Sequence, residues 1–181
     1  MFSRSILAVA LIVAVLASPA LGGDVGLKLT MVGGGSLSLT YNPTVGSGAL
    51  LGGDDQTLTY ALPLTVIDSR SDGAGWNITV TSTSFDDEAG NTFAPNAASI
   101  MSTRVSCLSE GGCTDPRNLV EYPIPMPASE QAPSAVKVFD ADPDSGMGTF
   151  SVTPMVAVSV PGNAFSGDYV STVAVAIVSG P

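Results

Sequence analysis

Histidine is absent from the 181-residue chain, and lysine and arginine together number six against sixteen aspartates and glutamates. Without histidine the usual general base is missing, and neither a Ser-His-Asp nor a Cys-His arrangement can be assembled. With so few cations there is no cluster to hold a phosphate backbone, which argues against nucleic acid as a partner. The formal charge of −10 instead suits cations or basic surfaces, and it also serves solubility. Charged residues make up only 12% of the chain and hydrophobic ones 45%, largely Val, Leu and Ala punctuated by 20 glycines and 13 prolines. That balance favours an all-β chain.

Long apolar runs are also lacking. The one candidate, residues 6–16, is shorter than the roughly 20 residues a bilayer requires. With Arg4 before it and Ala20-Leu21-Gly22 after it, the run reads as a secretory signal over residues 1–22, so that the mature chain spans 23–181 as a single domain. No cysteine stands at the cleavage point for lipid attachment and no hydrophobic tail ends the sequence, so no integral membrane anchor is expected. Export bears on the only two cysteines, Cys107 and Cys113. Their spacing does not fit a CxxC redox centre, and a metal site would need further thiols or imidazoles. In an oxidising compartment they are expected to bond, closing a small ring worth about 2 kcal/mol by loop entropy.

What the sequence does have is period-two alternation: Leu27, Leu29 and Met31; Leu37, Leu39 and Tyr41; Leu58 through Val66; Trp76, Ile78 and Val80; Val156, Val158 and Val160; Val173, Val175 and Ile177. Turn residues such as Gly52-Gly53-Asp54-Asp55 and Pro161-Gly162-Asn163 separate these runs. The pattern predicts an antiparallel β-sandwich, Ig-like in general architecture. Residues 86–134, rich in Pro, Asn, Ser and Gly, are predicted to form a loop-rich insertion with edge strands that carries the disulfide. Pro123, Pro125 and Pro127 would deny donors to a central strand there.

Candidate chemistry is sparse. Asp54/Asp55 and Asp86/Asp87 are carboxylate pairs of the kind glycosidases use, but they lie beside turn glycines, where solvated aspartate is ordinary. Gly33-Gly34-Gly35 lacks the lysine and helix of a phosphate loop. Asp140, Asp142 and Asp144 alternate as oxygen ligands for a weak Ca²⁺ site would, and no other cofactor is suggested. The fit to a calcium loop is partial, since Ser145 and Ser151 occupy places where Gly and an acid are needed, and a solvated acidic turn is the simpler reading. Asn77-Ile78-Thr79 forms a glycosylation sequon.

Asp68, Arg70, Gly75 and Trp76, then Gly146, Gly148 and Phe150, and finally Gly167, Tyr169 and Pro181, give the chain a resemblance to the WxL domain of Gram-positive surface proteins. Ile78 stands in the Leu place of the first motif, and Val175-Ala176-Ile177 stands where a second Trp belongs. The resemblance implies an extracytoplasmic β-sandwich that associates noncovalently with cell-wall peptidoglycan or with other surface proteins. It makes Trp76 the candidate wall-binding residue, whereas the face that Trp76 shares with Ile78 and Val80 points to the core. A different class of reading is a structural subunit of a surface layer or pilus-like assembly, joined through strand edges.

Overall fold

A computed structural model describes residues 35–41, 48 and 52–181. The secretory signal and the alternating stretch at Leu27, Leu29 and Met31 lie outside the described residues. Ten strands are present: β1 (Leu37–Tyr41), β2 (Gln56–Ala61), β3 (Leu64–Asp68), β4 (Trp76–Thr83), β5 (Ala98–Cys107), β6 (Ile124–Met126), β7 (Ala128–Ser129), β8 (Val136–Ala141), β9 (Gly148–Val160) and β10 (Val173–Ser179). They form two open sheets, as the all-β sandwich reading requires. One has the order β1-β3-β9-β5-β6 with β2 also on β9; the other sets β4 between β10 on one side and β7 and β8 on the other. All pairings are antiparallel except β4 with β7.

The long strand β9 organises the larger sheet. Phe150, Val152, Val156, Val158 and Val160 are buried on its inner face. Its outer face carries the hydroxyls of Thr149, Ser151, Thr153 and Ser159 beside Met155 and Ala157, and in register Thr40, Thr65, Ser151 and Ser106 form one row across four strands. Period-two alternation therefore sorts the strands into an apolar side and a polar, nearly uncharged side. The run from Leu58 to Val66, predicted as one strand, is broken at Leu62-Pro63 into β2 and β3, which follow one another along the same edge of β9. Pro154 of β9 stands at this break. Its carbonyl accepts Leu62 N–H at 2.9 Å, and its missing donor falls where the edge partner changes, which is how a proline is tolerated inside the strand.

Within the segment predicted to be loops and edges, β5 is a ten-residue strand paired to β9 along its length. The remainder agrees better with the expectation: β6 and β7 are short, and Pro125 lies opposite Ser99 in a strand with one partner, where a lost donor costs little. Trp76, Ile78 and Val80 of β4 meet Phe139 of β8 and the inner face of β9 in one core. No described helix is long and apolar enough to cross a membrane.

Candidate functional site

The residues that carry the first two WxL-like motifs meet in a single clasp between the sheets. Asp68 ends β3 and is 3% exposed; Arg70 donates from Nε to its Oδ1 and from Nη2 to its Oδ2, both at 2.9 Å. The same Nη2 donates to Gly75 O at 2.7 Å, fixing the turn that delivers the chain into β4. The bonding to Asp68 raises the pKa of Arg70 above its ordinary value. Arg70 also donates to Ser179 Oγ, tying the end of β10 to the same point.

Trp76 has no exposed surface, which places it in the core and removes it from contact with any ligand in this fold. Its ring stacks on Phe139 at 5.5 Å between centroids and lies 6.4 Å from Phe150. The indole Nε1–H donates to Gly146 O at 2.9 Å, which satisfies the one polar atom of the ring. Gly146 must be glycine for two reasons: its φ is +74°, and a Cβ would stand 2.6 Å from Trp76 Nε1. Trp76, Gly146 and Phe150 are thus one packing unit assembled from segments seventy residues apart. In the place of a second Trp, Val175 and Ile177 pair with Val80 and Ile78 on the inner side of β10, half-buried. Gly167 and Tyr169 lie away from the clasp, where Tyr169 stacks on Phe93 at 4.2 Å.

Cys107 and Cys113 form the expected disulfide, their sulfurs 2.08 Å apart. The bridge packs on Gly148, where a Cβ would come within 2.8 Å of Cys113 Sγ and where φ is +127°. It therefore secures the loop after β5 to the start of β9.

The three aspartates of the suggested Ca²⁺ site are committed separately. Asp140 is buried in β8, accepting Leu119 N–H at 2.8 Å and facing Lys137 Nζ at 3.5 Å. Asp142 faces Arg117 Nη1 at 3.7 Å, and Asp144 takes a positive φ in the turn against Gly73. Among the described residues no three His, Cys, Asp or Glu side chains converge on a point that could hold a metal. Millimolar Ca²⁺ is therefore expected to leave the melting temperature unchanged; a rise of several degrees in a thermal scan would show that the carboxylates regroup around the ion. Asn77 is likewise engaged, its Nδ2 donating to Gly180 O at 2.7 Å, so the sequon is closed to modification in the folded domain.

A feature without a sequence motif lies at the opposite end of the sandwich from the clasp. There Asp55, Gln56 and Thr57 at the start of β2, Asn96 before β5, and Ser159 and Pro161 at the end of β9 line an open cleft of about 350 Å³. Asp55 Oδ1 accepts Gly162 N–H at 2.8 Å, which fixes the carboxylate against the loop that leaves β9. That loop carries Phe165, 68% exposed, and Val170, 63% exposed. The same end gathers Asp54, Asp55, Asp86, Asp87, Glu88, Glu130 and Asp168 in the connections between strands. Donation from the Asn91 amide holds the Asp87 carboxyl below its ordinary pKa, so it stays charged into acid. The described cations stand elsewhere: Arg70 in the clasp, Arg117 beside Asp142, Lys137 beside Asp140, and Arg104 opposite Thr153 within the larger sheet.

No family model matches the sequence, and neither a curated protein nor a solved structure matches it significantly.

Proposed function

We propose that the chain is an exported, non-enzymatic module of the cell envelope, related to WxL domains, that associates noncovalently with the cell wall or with other envelope proteins. The observation that supports this reading is the clasp. The residues that carry the resemblance are scattered through the sequence, yet Asp68, Arg70, Gly75, Trp76, Gly146 and Phe150 engage one another in a single structure. Such mutual dependence is what a shared framework would preserve. The signal-like N-terminus and the disulfide fit an extracytoplasmic location. Lack of histidine and the engaged state of both cysteines fit a binding role better than a catalytic one.

Because the clasp is internal, wall contact on this reading is made by other surfaces. Purified protein mixed with cell-wall sacculi, alone and with candidate envelope partners, is expected to sediment with the wall; protein that stays in the supernatant under all these conditions would remove the reading. A second reading, a structural subunit, is favoured by β10. Among the described residues this strand pairs only with β4, and its seven residues contain neither charge nor proline, the devices that ordinarily discourage edge-to-edge pairing. Assembly of the purified protein without any wall material, measured by light scattering, would favour that alternative.

A further inference from the structure

We infer that residues 25–32 of the same chain dock as an added strand along the open edge of β10, capping the edge through which copies would otherwise pair. The cap is independent of wall association, but it bears on the structural-subunit alternative, which needs that edge free. Among the described residues β10 pairs with β4 alone, so one side of its backbone offers N–H and C=O groups to a further strand. Its inner face is also incompletely covered. Val173, Val175 and Ile177 are half-buried, whereas Ser82, Val80 and Ile78, their partners on β4, are 3%, 1% and 0% exposed. β1, an edge strand of the other sheet, repeats the pattern: Leu37 and Leu39 are half-buried, Tyr41 is 54% exposed, and the strand comes near β10 without pairing with it. The apolar interior is thus only partly closed along the side where these two edge strands meet, and an apolar strand laid there buries its own face and completes the burial of theirs.

Sequence and chain path together name the occupant. Leu27, Leu29 and Met31 alternate with Gly26, Lys28 and Thr30, a strand pattern with one apolar face, and residues 25–32 match the seven residues of β10 in length. Gly33-Gly34-Gly35 joins them to β1. Gly35 lies against the Ser69 backbone and Ser36 N–H donates to Ser69 Oγ, while the adjoining Arg70 donates to Ser179 Oγ at the end of β10. The chain therefore enters β1 beside the C-terminal end of β10, and three glycines, reaching at most about 10 Å, supply the reversal. Chain order then sets the direction. A segment that ends at Gly33 runs toward the clasp, as β10 does on its way to Ser179 opposite Trp76, so the added strand is parallel to β10. So short a tether holds the segment at an effective concentration of about millimolar or more, which favours docking within one molecule over docking on a second copy.

The test is amide hydrogen exchange in the exported protein, followed residue by residue. The β10 amides that do not bond to β4 are expected to be protected in the wild type. In Leu27→Asp/Leu29→Asp/Met31→Asp they should exchange at least about tenfold faster, while the amides of β9 keep their rates. Leu27→Val/Leu29→Val/Met31→Val retains the apolar face and should retain the protection. Should the β9 amides open as well in the triple aspartate variant, Leu29→Asp alone is read in the same way. The cap is overturned by edge amides of β10 that exchange freely in the wild type, or by equal rates in the wild type and a folded aspartate variant. Protection that appears on β1 and not on β10 also overturns it, because the segment then folds back on β1. So does protection that disappears on dilution, because the strand on β10 then belongs to a second copy. Sedimentation with sacculi is a separate measurement: a failed cap leaves the envelope reading standing, and a protein that ignores the wall and envelope partners leaves the cap standing.

Discussion

Trp76→Ala is expected to lose about 3–5 kcal/mol of folding stability, the cost typical of emptying a core aromatic site. The loss has two sources. The ring has no exposed surface and packs between Phe139 and Phe150, so truncation opens a cavity where the two sheets meet. It also takes away the donor to Gly146 O, and a buried carbonyl deprived of its partner costs about 1–3 kcal/mol. For a domain of this size each kcal/mol lowers the midpoint by about 2–4 °C, so a fall of about 10 °C is expected in a thermal melt. Trp76→Phe keeps most of the packing and loses the hydrogen bond, and should fall between wild type and alanine. A Trp76→Ala protein that melts with wild type would mean that the indole is not a core residue.

Arg70→Ala should be nearly as damaging, at about 3 kcal/mol, although arginine is ordinarily a surface residue. Asp68 is almost wholly buried, and the guanidinium supplies two of its hydrogen bonds while also binding Gly75 O. Removing one partner leaves a buried charge without its counter-charge, which costs more than removing both. The double variant Asp68→Val/Arg70→Met is accordingly expected to recover much of the loss. Urea unfolding of the two single variants and the double variant measures the coupling; simple additivity would show that the pair contributes nothing as a pair.

Much of the fold is legible in the sequence wherever one strand face is buried and the other is wet. Trp76, Ile78 and Val80 in β4 and Val173, Val175 and Ile177 in β10 alternate cleanly, and they pair across the smaller sheet with Val80 opposite Val175 and Ile78 opposite Ile177. β5 escapes the same reading because an irregularity between Ile100 and Ser102 shifts the phase: Ala98 and Ile100 face inward before it, Thr103 and Val105 after it. β8 hides for another reason. Val138, Phe139, Asp140 and Ala141 are all buried, since the segment at Asn118 and Leu119 covers the far side and bonds to Asp140, leaving no alternation to find.

The candidate residues divide along similar lines. The core position of Trp76 follows from its neighbours at Ile78 and Val80, and the pairing of Cys107 with Cys113 follows from their being the only two cysteines in the sequence. Spacing cannot reveal that Asp140 is committed to Leu119 and Lys137, because those partners are set by tertiary folding. The cleft is invisible to motif reading, since its lining comes from three separated stretches of uncharged or turn-type residues.

The most direct measurement is sedimentation of wild type and folded Trp76→Phe with purified cell-wall sacculi. If the clasp builds the fold and wall contact lies on other surfaces, both proteins sediment to the same extent, while only the variant melts earlier. A wild type that does not sediment, with or without envelope partners, contradicts the envelope role; a folded Trp76→Phe that stays behind while wild type sediments contradicts the structural role of Trp76 and returns it to the binding surface.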